Sequence, residues 1–269
     1  MIYYKTNDEI ELMRQSNLLV SKTLAYVASL LKVGITGGII DKKAEEFILD
    51  NGGKPGFKGY KGFRNTLCMS VNDAVVHGVP TYREFTDSDV VSIDCGVIHN
   101  GFYGDAAFSF AFHNVDDSVK KLLQVTRVSL YKGIECAVIG NRIGDISHAI
   151  QYFCEKVHGY SIVRELVGHG VGKNLHEDPE VPNFGTKGKG PLLKEGIVIA
   201  IEPMVNMGSR AVKQLNDGWT IVTRDGKPSA HFEHSVAITK NGPDILSDHA
   251  YIDEEIKKNE EIVDISIKI

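Results

Sequence analysis

The dipeptide Asn100-Gly101 constrains the fold of this chain more than any other short stretch. It separates the β-rich run Val90-Val91-Ser92-Ile93-Asp94 from the aromatic-rich segment Phe102 to Phe110. Asn-Gly supplies the positive φ angles that a two-residue hairpin turn requires, so an antiparallel hairpin is predicted. If 99 pairs with 102, counting back pairs 94 with 107 and leaves Asp105 diagonal to Asp94. Residues 105 and 107 share parity and face one side, and diagonal neighbours lie about 7–8 Å apart between backbones. The flanking residues are Ile93, Cys95, Ala106, Ala107 and Phe108. Burying two like charges there forces at least one to protonate, unless bound cations remove the conflict. Solvated acids on an exposed hairpin face are the ordinary alternative for an Asp pair, and the apolar flanks argue against it.

Around this hairpin the pattern alternates between helix and strand. Thr6-Asn7-Asp8-Glu9 fits a capping box, followed by Ile10, Met13, Val20, Leu24, Val27 and Leu31 at helical spacing up to Gly34. A second helix is predicted from about Thr36 to Asp50, then a glycine-rich loop from Pro55 to Gly62. Further helices are expected at about 117–135 and 144–157. Strands are expected near 162–167, 197–202, 219–223 and 230–239. Val198-Ile199-Ala200-Ile201-Glu202 echoes Val90 to Asp94, each a β-rich run ending in a carboxylate. A duplicated α+β unit explains the echo, as does the general likeness of short strands.

The echo also extends the list of buried acids. Glu202 follows Ala200-Ile201, and Glu233 follows Ala230-His231-Phe232. Acids rarely close apolar strands without a partner. His169 lies among glycines in Gly168-His169-Gly170-Val171-Gly172, where steric cover is slight and unusual backbone angles are permitted. His176 follows seven positions later, outside the spacing of a His-Glu-x-x-His zinc helix. Asp94, Asp105, His169, Glu202 and Glu233 form a mostly oxygen-donor set suited to Mn²⁺, Fe²⁺, Co²⁺ or Zn²⁺. Carboxylates bridge two such ions about 3.5–4 Å apart, so a dinuclear hydrolytic centre is the expectation.

Composition narrows the alternatives. The net charge of −5 and the lack of a long basic block argue against nucleic acid as substrate. No apolar run approaches the roughly 20 residues of a membrane span, and the first residues resemble neither a signal nor a transit peptide, so a cytoplasmic protein is expected. The four cysteines form no Cys-x-x-Cys pair and read as reduced thiols. The Gly185 to Gly190 loop lacks the Gly-Lys-Ser/Thr of a phosphate-binding loop.

Taken together, His77-Gly78, Asp94, Asp105, Gly168-His169-Gly170, His176-Glu177-Asp178-Pro179, Ile201-Glu202-Pro203-Met204 and Glu233-His234 resemble the type I methionine aminopeptidases in order and spacing, from about Thr6 to Asn241. The resemblance implies the pita-bread fold: an internally duplicated α+β domain with a curved, mainly antiparallel sheet and helices on its outer face. It implies that Asp94 binds one metal, His169 and Glu202 the other, and that Asp105 and Glu233 bridge them. A hydroxide shared by the two ions would be the nucleophile, with Glu202 shuttling its proton. His77 and His176 would contact substrate, and Tyr60, Phe63, Cys68, Leu175 and Trp219 would form the methionine pocket. Phe57 stands where some members carry cysteine, and Phe63 and Leu175 also depart from common family residues.

The implied function is removal of the initiator methionine from nascent polypeptides, with a small second residue, near the ribosome, by a monomer. A proline-specific peptidase of the same fold is the enzymatic rival. A non-catalytic binding module that keeps the fold is the rival from another class. Residues 1–246 are expected to form one catalytic domain of two halves. Residues 247–269 lie beyond the resemblance and read as a short helix, 253–260, followed by alternating Val263, Ile265, Ile267 and Ile269, an edge strand or a free end.

Overall fold

The computed structural model describes residues 1–265 of the 269-residue chain. Helix α1 spans Asn7–Leu30 and begins with the expected capping box, Thr6 accepting from the Glu9 N–H and Glu9 accepting from the Thr6 N–H. Helix α2 spans Gly37–Asp50 under an N-cap from Thr36. The hairpin forms in the expected register: strands Val90–His99 and Phe102–Ala111 pair His99 with Phe102 and Asp94 with Ala107. Asn100 and Gly101 take φ of 51° and 81°, the left-handed pair such a turn needs.

Both echoing runs are central strands. Val90–His99 carries Phe102–Ala111 on one edge and both Leu67–Val71 and Lys54–Pro55 on the other. Val198–Ile201 lies between His234–Thr239 and Gly168–Gly170, in a five-stranded sheet completed by Gly242–Ile245 and Glu177–Val181. All of these pairings are antiparallel. Helix α1 covers the hairpin, while α3 (Asp117–Glu135) and α4 (Ile143–Gln151) pack together, with α3 against strands of the second sheet system. Buried side chains from both sheet systems, among them Phe108, Phe110, Ile199 and Phe232, merge into one apolar core. The architecture is the expected α+β arrangement of mainly antiparallel sheet with helices against it.

Several expected elements differ in detail. Past Gln151, α4 opens into a π-helical segment, Tyr152–Val157, closed by the Tyr160 N–H donating to the Cys154 carbonyl across Gly159, whose φ is 74°. The strand expected at 162–167 is only Ser161–Ile162; after Val163 donates to the Met204 carbonyl the chain leaves the sheet. The strand expected at 219–223 is Ile221–Thr223. The one expected at 230–239 is two, Ser229–His231 and His234–Thr239, because each half pairs with a different neighbour.

The C-terminal helix also begins earlier than expected. Helix α5 is Ala250–Ile256, with Ile252 and Ile256 buried one turn apart and the helix packed on α1. Asn259 stops it by donating to the Ala28 and Leu31 carbonyls. Beyond it, Ile262 bridges to Phe112, the Val263 N–H donates to the Ala111 carbonyl, and Ile265 is buried. Among the described residues this is an isolated bridge and one hydrogen bond rather than a strand; Ile267 and Ile269 of the expected run lie outside them.

Candidate metal centre and adjoining cavity

Asp94 and Asp105 project from the hairpin on which the sequence places them. The Asp105 N–H donates to Asn17 of α1 at 3.1 Å, and its carbonyl accepts from the Ser235 hydroxyl at 2.9 Å. The hairpin is thereby tied to a helix on one side and to the second sheet on the other.

Glu202 and Glu233 arrive differently. Val198–Ile201 resumes as Met204–Asn206 after Glu202-Pro203, and Ser229–His231 resumes as His234–Thr239 after Phe232-Glu233. Met204 pairs with His231 and Ile201 with His234, so the two interruptions face each other. Proline cannot donate to a ladder, which opens one break, and the Glu233 N–H donates instead to the Ala107 carbonyl of the hairpin at 3.0 Å. Both glutamates sit where the ribbon is released from regular pairing.

His169 lies on Gly168–Gly170, buried from bulk solvent yet lining the cavity, where its imidazole is accessible to a ligand as its glycine neighbours suggest. The glycines serve close approach: a Cβ on Gly168 would stand 2.4 Å from the Ala200 carbonyl oxygen, and one on Gly170 2.3 Å from that of Asp178. His169 Nδ1 is 2.9 Å from the Gly170 carbonyl, which can only accept. That contact assigns the proton to Nδ1 and leaves the Nε2 lone pair for a ligand. Nε2 stands 3.6 Å from Glu202 and 3.8 Å from Asp105. Single ligand atoms of Asp105, His169 and Glu233 lie within 4.8 Å of one another.

These side chains fit divalent metal by their unmet needs. Asp94 Oδ1, Asp105 Oδ1 and Glu233 Oε1 are buried with no hydrogen-bond partner among the described residues. Burial, reinforced by the neighbouring carboxylates, pushes Asp105 and Glu233 well above the usual carboxylate range. Burial also raises Asp94, against the pull of His231, and Glu202, against the pull of His169. Four mutually repelling buried carboxyls are unstable as anions without cations between them.

Every metal-ligand, substrate-contact and pocket residue expected from the sequence lines one cavity of about 160 Å³. Its apolar wall is the cluster Phe57, Phe63, Cys68 and Leu175, with Tyr60 and Trp219 packed against it. Trp219 meets Phe63 edge to face at 5.1 Å. His77 and His176 stand at the same cavity, held low by burial, to about 4 and about 3, so both rings are neutral at pH 7. His176 Nδ1 is 2.9 Å from the Tyr60 hydroxyl, and its ring lies 4.2 Å from that of His169. A buried ion pair, Lys5 Nζ to Glu177 at 2.7 Å, anchors the residue after His176.

Two residues escaped the sequence reading. His231 Nε2 is 3.4 Å from Glu202, buried and without a hydrogen bond among the described residues. Strand alternation from Glu233 back to residue 231 is the signal that could have found it. Lys61, inside the glycine-rich loop, also lines the cavity, and its sequence neighbourhood carried no signal.

The chain belongs to metallopeptidase family M24, whose pattern it matches over residues 11–240. Methionine aminopeptidases are among its relatives. It is 52% identical to the methionine aminopeptidase of Clostridium perfringens and 51% identical to methionine aminopeptidase 1 of Bacillus subtilis, each alignment covering 92% of this chain and 99% of the relative. The crystal structure of methionine aminopeptidase from Thermotoga maritima superposes with a TM-score of 0.90 at 44% identity, covering 92% of this chain and all of that one. The pita-bread fold, divalent-metal use and hydrolase chemistry follow from these matches.

Proposed function

We propose that this chain is a metal-dependent methionine aminopeptidase acting on the first residue of newly made polypeptides. The observation that carries the reading is the junction of two environments in one cavity: a buried carboxylate and histidine cluster beside an apolar wall sized for a single side chain. Asp94, Asp105, His169, Glu202 and Glu233 would hold the divalent metal. Bound there, divalent metal would activate a water and polarise the scissile carbonyl. Manganese, iron(II), cobalt and zinc all suit the donor set.

The remaining steps belong to side chains. Tyr60, Phe63, Cys68, Leu175 and Trp219 receive the thioether side chain, for which an apolar, polarisable wall is the natural complement. Glu202, beside His169 and His231, takes a proton from the attacking water and returns it to the departing amine. His176, neutral and with Nδ1 engaged by Tyr60, presents Nε2 to the oxygen that gains charge, and His77 meets the scissile amide. His77 is half-buried, and His176, though exposed, is held in place by Tyr60.

The finer reading is a monomer working in the cytoplasm near the ribosome, on chains with a small second residue. Residues 1–246 form its catalytic unit and 247–269 an added segment. The test is release of the first residue from Met-Ala-Ser and from an Ala-Pro peptide, by chelated protein and by protein refilled with Mn²⁺, Fe²⁺ or Co²⁺. Metal-dependent cleavage of the first alone is expected. Preference for the second makes the chain a proline peptidase, and inactivity without metal uptake makes it a binding module.

A further inference from the structure

Lys61 occupies an unusual place in the fold. It lies in the left-handed region, φ 47° and ψ 22°, inside the turn Tyr60–Gly62. Gly59, just before that turn, and Gly62, its last residue, have φ of 89° and 92°. A non-glycine residue rarely adopts such angles. The turn keeps an exposed lysine beside a largely buried site, for Lys61 lines the same cavity as His77 and His176. Its ammonium lies 5.3 Å from the centre of the Tyr60 ring, and the Tyr60 hydroxyl in turn meets His176. After burial, which dominates, the Lys61 charge helps to hold both His77 and His176 neutral, which places it within electrostatic reach of both.

Other lysines nearby are already engaged. Lys58 pairs with Glu45 at 2.6 Å, Lys5 with Glu177 at 2.7 Å and Lys173 with Glu9 at 3.6 Å. Lys61 forms no ion pair with any carboxylate among the described residues. An exposed cation at a substrate cavity, with no carboxylate partner among the described residues, leaves an anionic ligand group unassigned.

We propose that Lys61 is a specificity-determining residue that favours substrates carrying a carboxylate just downstream of the scissile bond. The inference rests on the aminopeptidase reading above. In that reading the methionine side chain fills the apolar wall and the scissile amide lies at His77 and His176. Lys61, next to these histidines and exposed, therefore meets the substrate residues beyond the cut. The carboxylate has two sources: an aspartate or glutamate side chain in the second or third position after the cut, or the terminal carboxylate of a short peptide.

The experiment compares kcat/KM for metal-loaded wild type, Lys61→Gln and Lys61→Arg on amidated Met-Ala-Asp-Ser against Met-Ala-Asn-Ser, and Met-Ala-Ser-Asp against Met-Ala-Ser-Asn. Met-Ala-Ser with a free or an amidated end forms the third pair. Each ratio compares two peptides on one protein, so damage to the turn cancels. Exposed ion pairs set the expected size: the charged peptide is favoured about two- to fivefold more by wild type than by Lys61→Gln in at least one pair. Lys61→Arg should retain the preference, and added salt should erode it. A response in the first two pairs identifies a side chain as the source; a response in the third alone identifies the terminal carboxylate. Equal ratios for wild type and Lys61→Gln in all three pairs, with the neutral peptides still cleaved, overturn this proposal alone. No cleavage of any peptide by metal-loaded wild type removes the aminopeptidase reading and this one with it.

Discussion

The two halves of the site deliver their carboxylates by opposite means. In the hairpin half, Val90–His99 and Phe102–Ala111 pair without interruption, and Asp94 and Asp105 reach the centre because strand parity points them there. In the other half, Glu202 and Glu233 occupy facing interruptions, where Ile201 still pairs with His234 and Met204 already pairs with His231. A continuous ladder is a rigid support whose register the turn dictates. An interrupted one frees the backbone to aim a side chain out of the pleat, and it must then be held by contacts from elsewhere. Here those contacts include the Glu233 N–H on Ala107 and the Asn183 amide on the Glu202 carbonyl at 2.9 Å.

The largest effect is expected from removing what clamps the hairpin half from outside. Residues 247–265 bury Ile252, Ile256, Ile262 and Ile265, each worth about 1.5–3 kcal/mol at most. Deleting residues 247–269 should lower the thermal midpoint by more than ten degrees or abolish folding. An unchanged melt would show that the hairpin half stands without its clamp.

Next comes Glu202→Gln, which alters the interrupted half while leaving the hairpin intact. A proton-transfer group contributes about 10²- to 10⁴-fold to rate, so kcat for Met-Ala-Ser should fall by that range while the far-ultraviolet spectrum is preserved. A loss under tenfold would assign the proton transfer elsewhere.

Metal removal tests whether the two halves repel each other through their carboxyls. Saturating metal at a hundred times its dissociation constant adds about 2.7 kcal/mol of stability. Burial raises Asp94 and Glu202 to about 7 in the chelated protein, so the folded state holds protons that the unfolded state has released. Its stability should therefore fall as pH rises from about 4 toward 7. The refilled protein, whose ligands are already ionised, should lack that fall; parallel melting profiles across this window would sink the idea.

The smallest effect separates the halves by their glycines. Gly170→Ala forces a Cβ onto the Asp178 carbonyl oxygen in the second sheet and should cost about 2 kcal/mol in urea unfolding. Gly101→Ala meets open space, with only its φ of 81° to resist it, and should cost about 1 kcal/mol. Equal costs would mean that the strands of the second half can separate to make room.

Legibility in the sequence followed the same division. Asn100-Gly101 and strict alternation made the register, and with it the diagonal Asp94 and Asp105, countable. The Thr6–Glu9 capping box was equally readable, because both of its hydrogen bonds are local. The split of Ser229–His231 from His234–Thr239 was not readable, since Ala230 to Thr239 looks like one strand until its two partners are known. Alternation from Glu233 points to His231, but its approach to Glu202 crosses two strands, and the glycines around His169 do not say which carbonyl will press on them.

By itself the sequence determined the residue types, the local turns and caps, the hairpin register and the likeness to a family of known chemistry, all of which depend on neighbours a few positions apart or on order along the chain. Only the tertiary structure decided that the two ladder interruptions face each other, that His231 stands against Glu202 and that Lys61 lies at the cavity beside His77 and His176. Those relations join segments more than a hundred residues apart or depend on which strand each stretch chooses. Long-range pairing sets both, and no local periodicity encodes it.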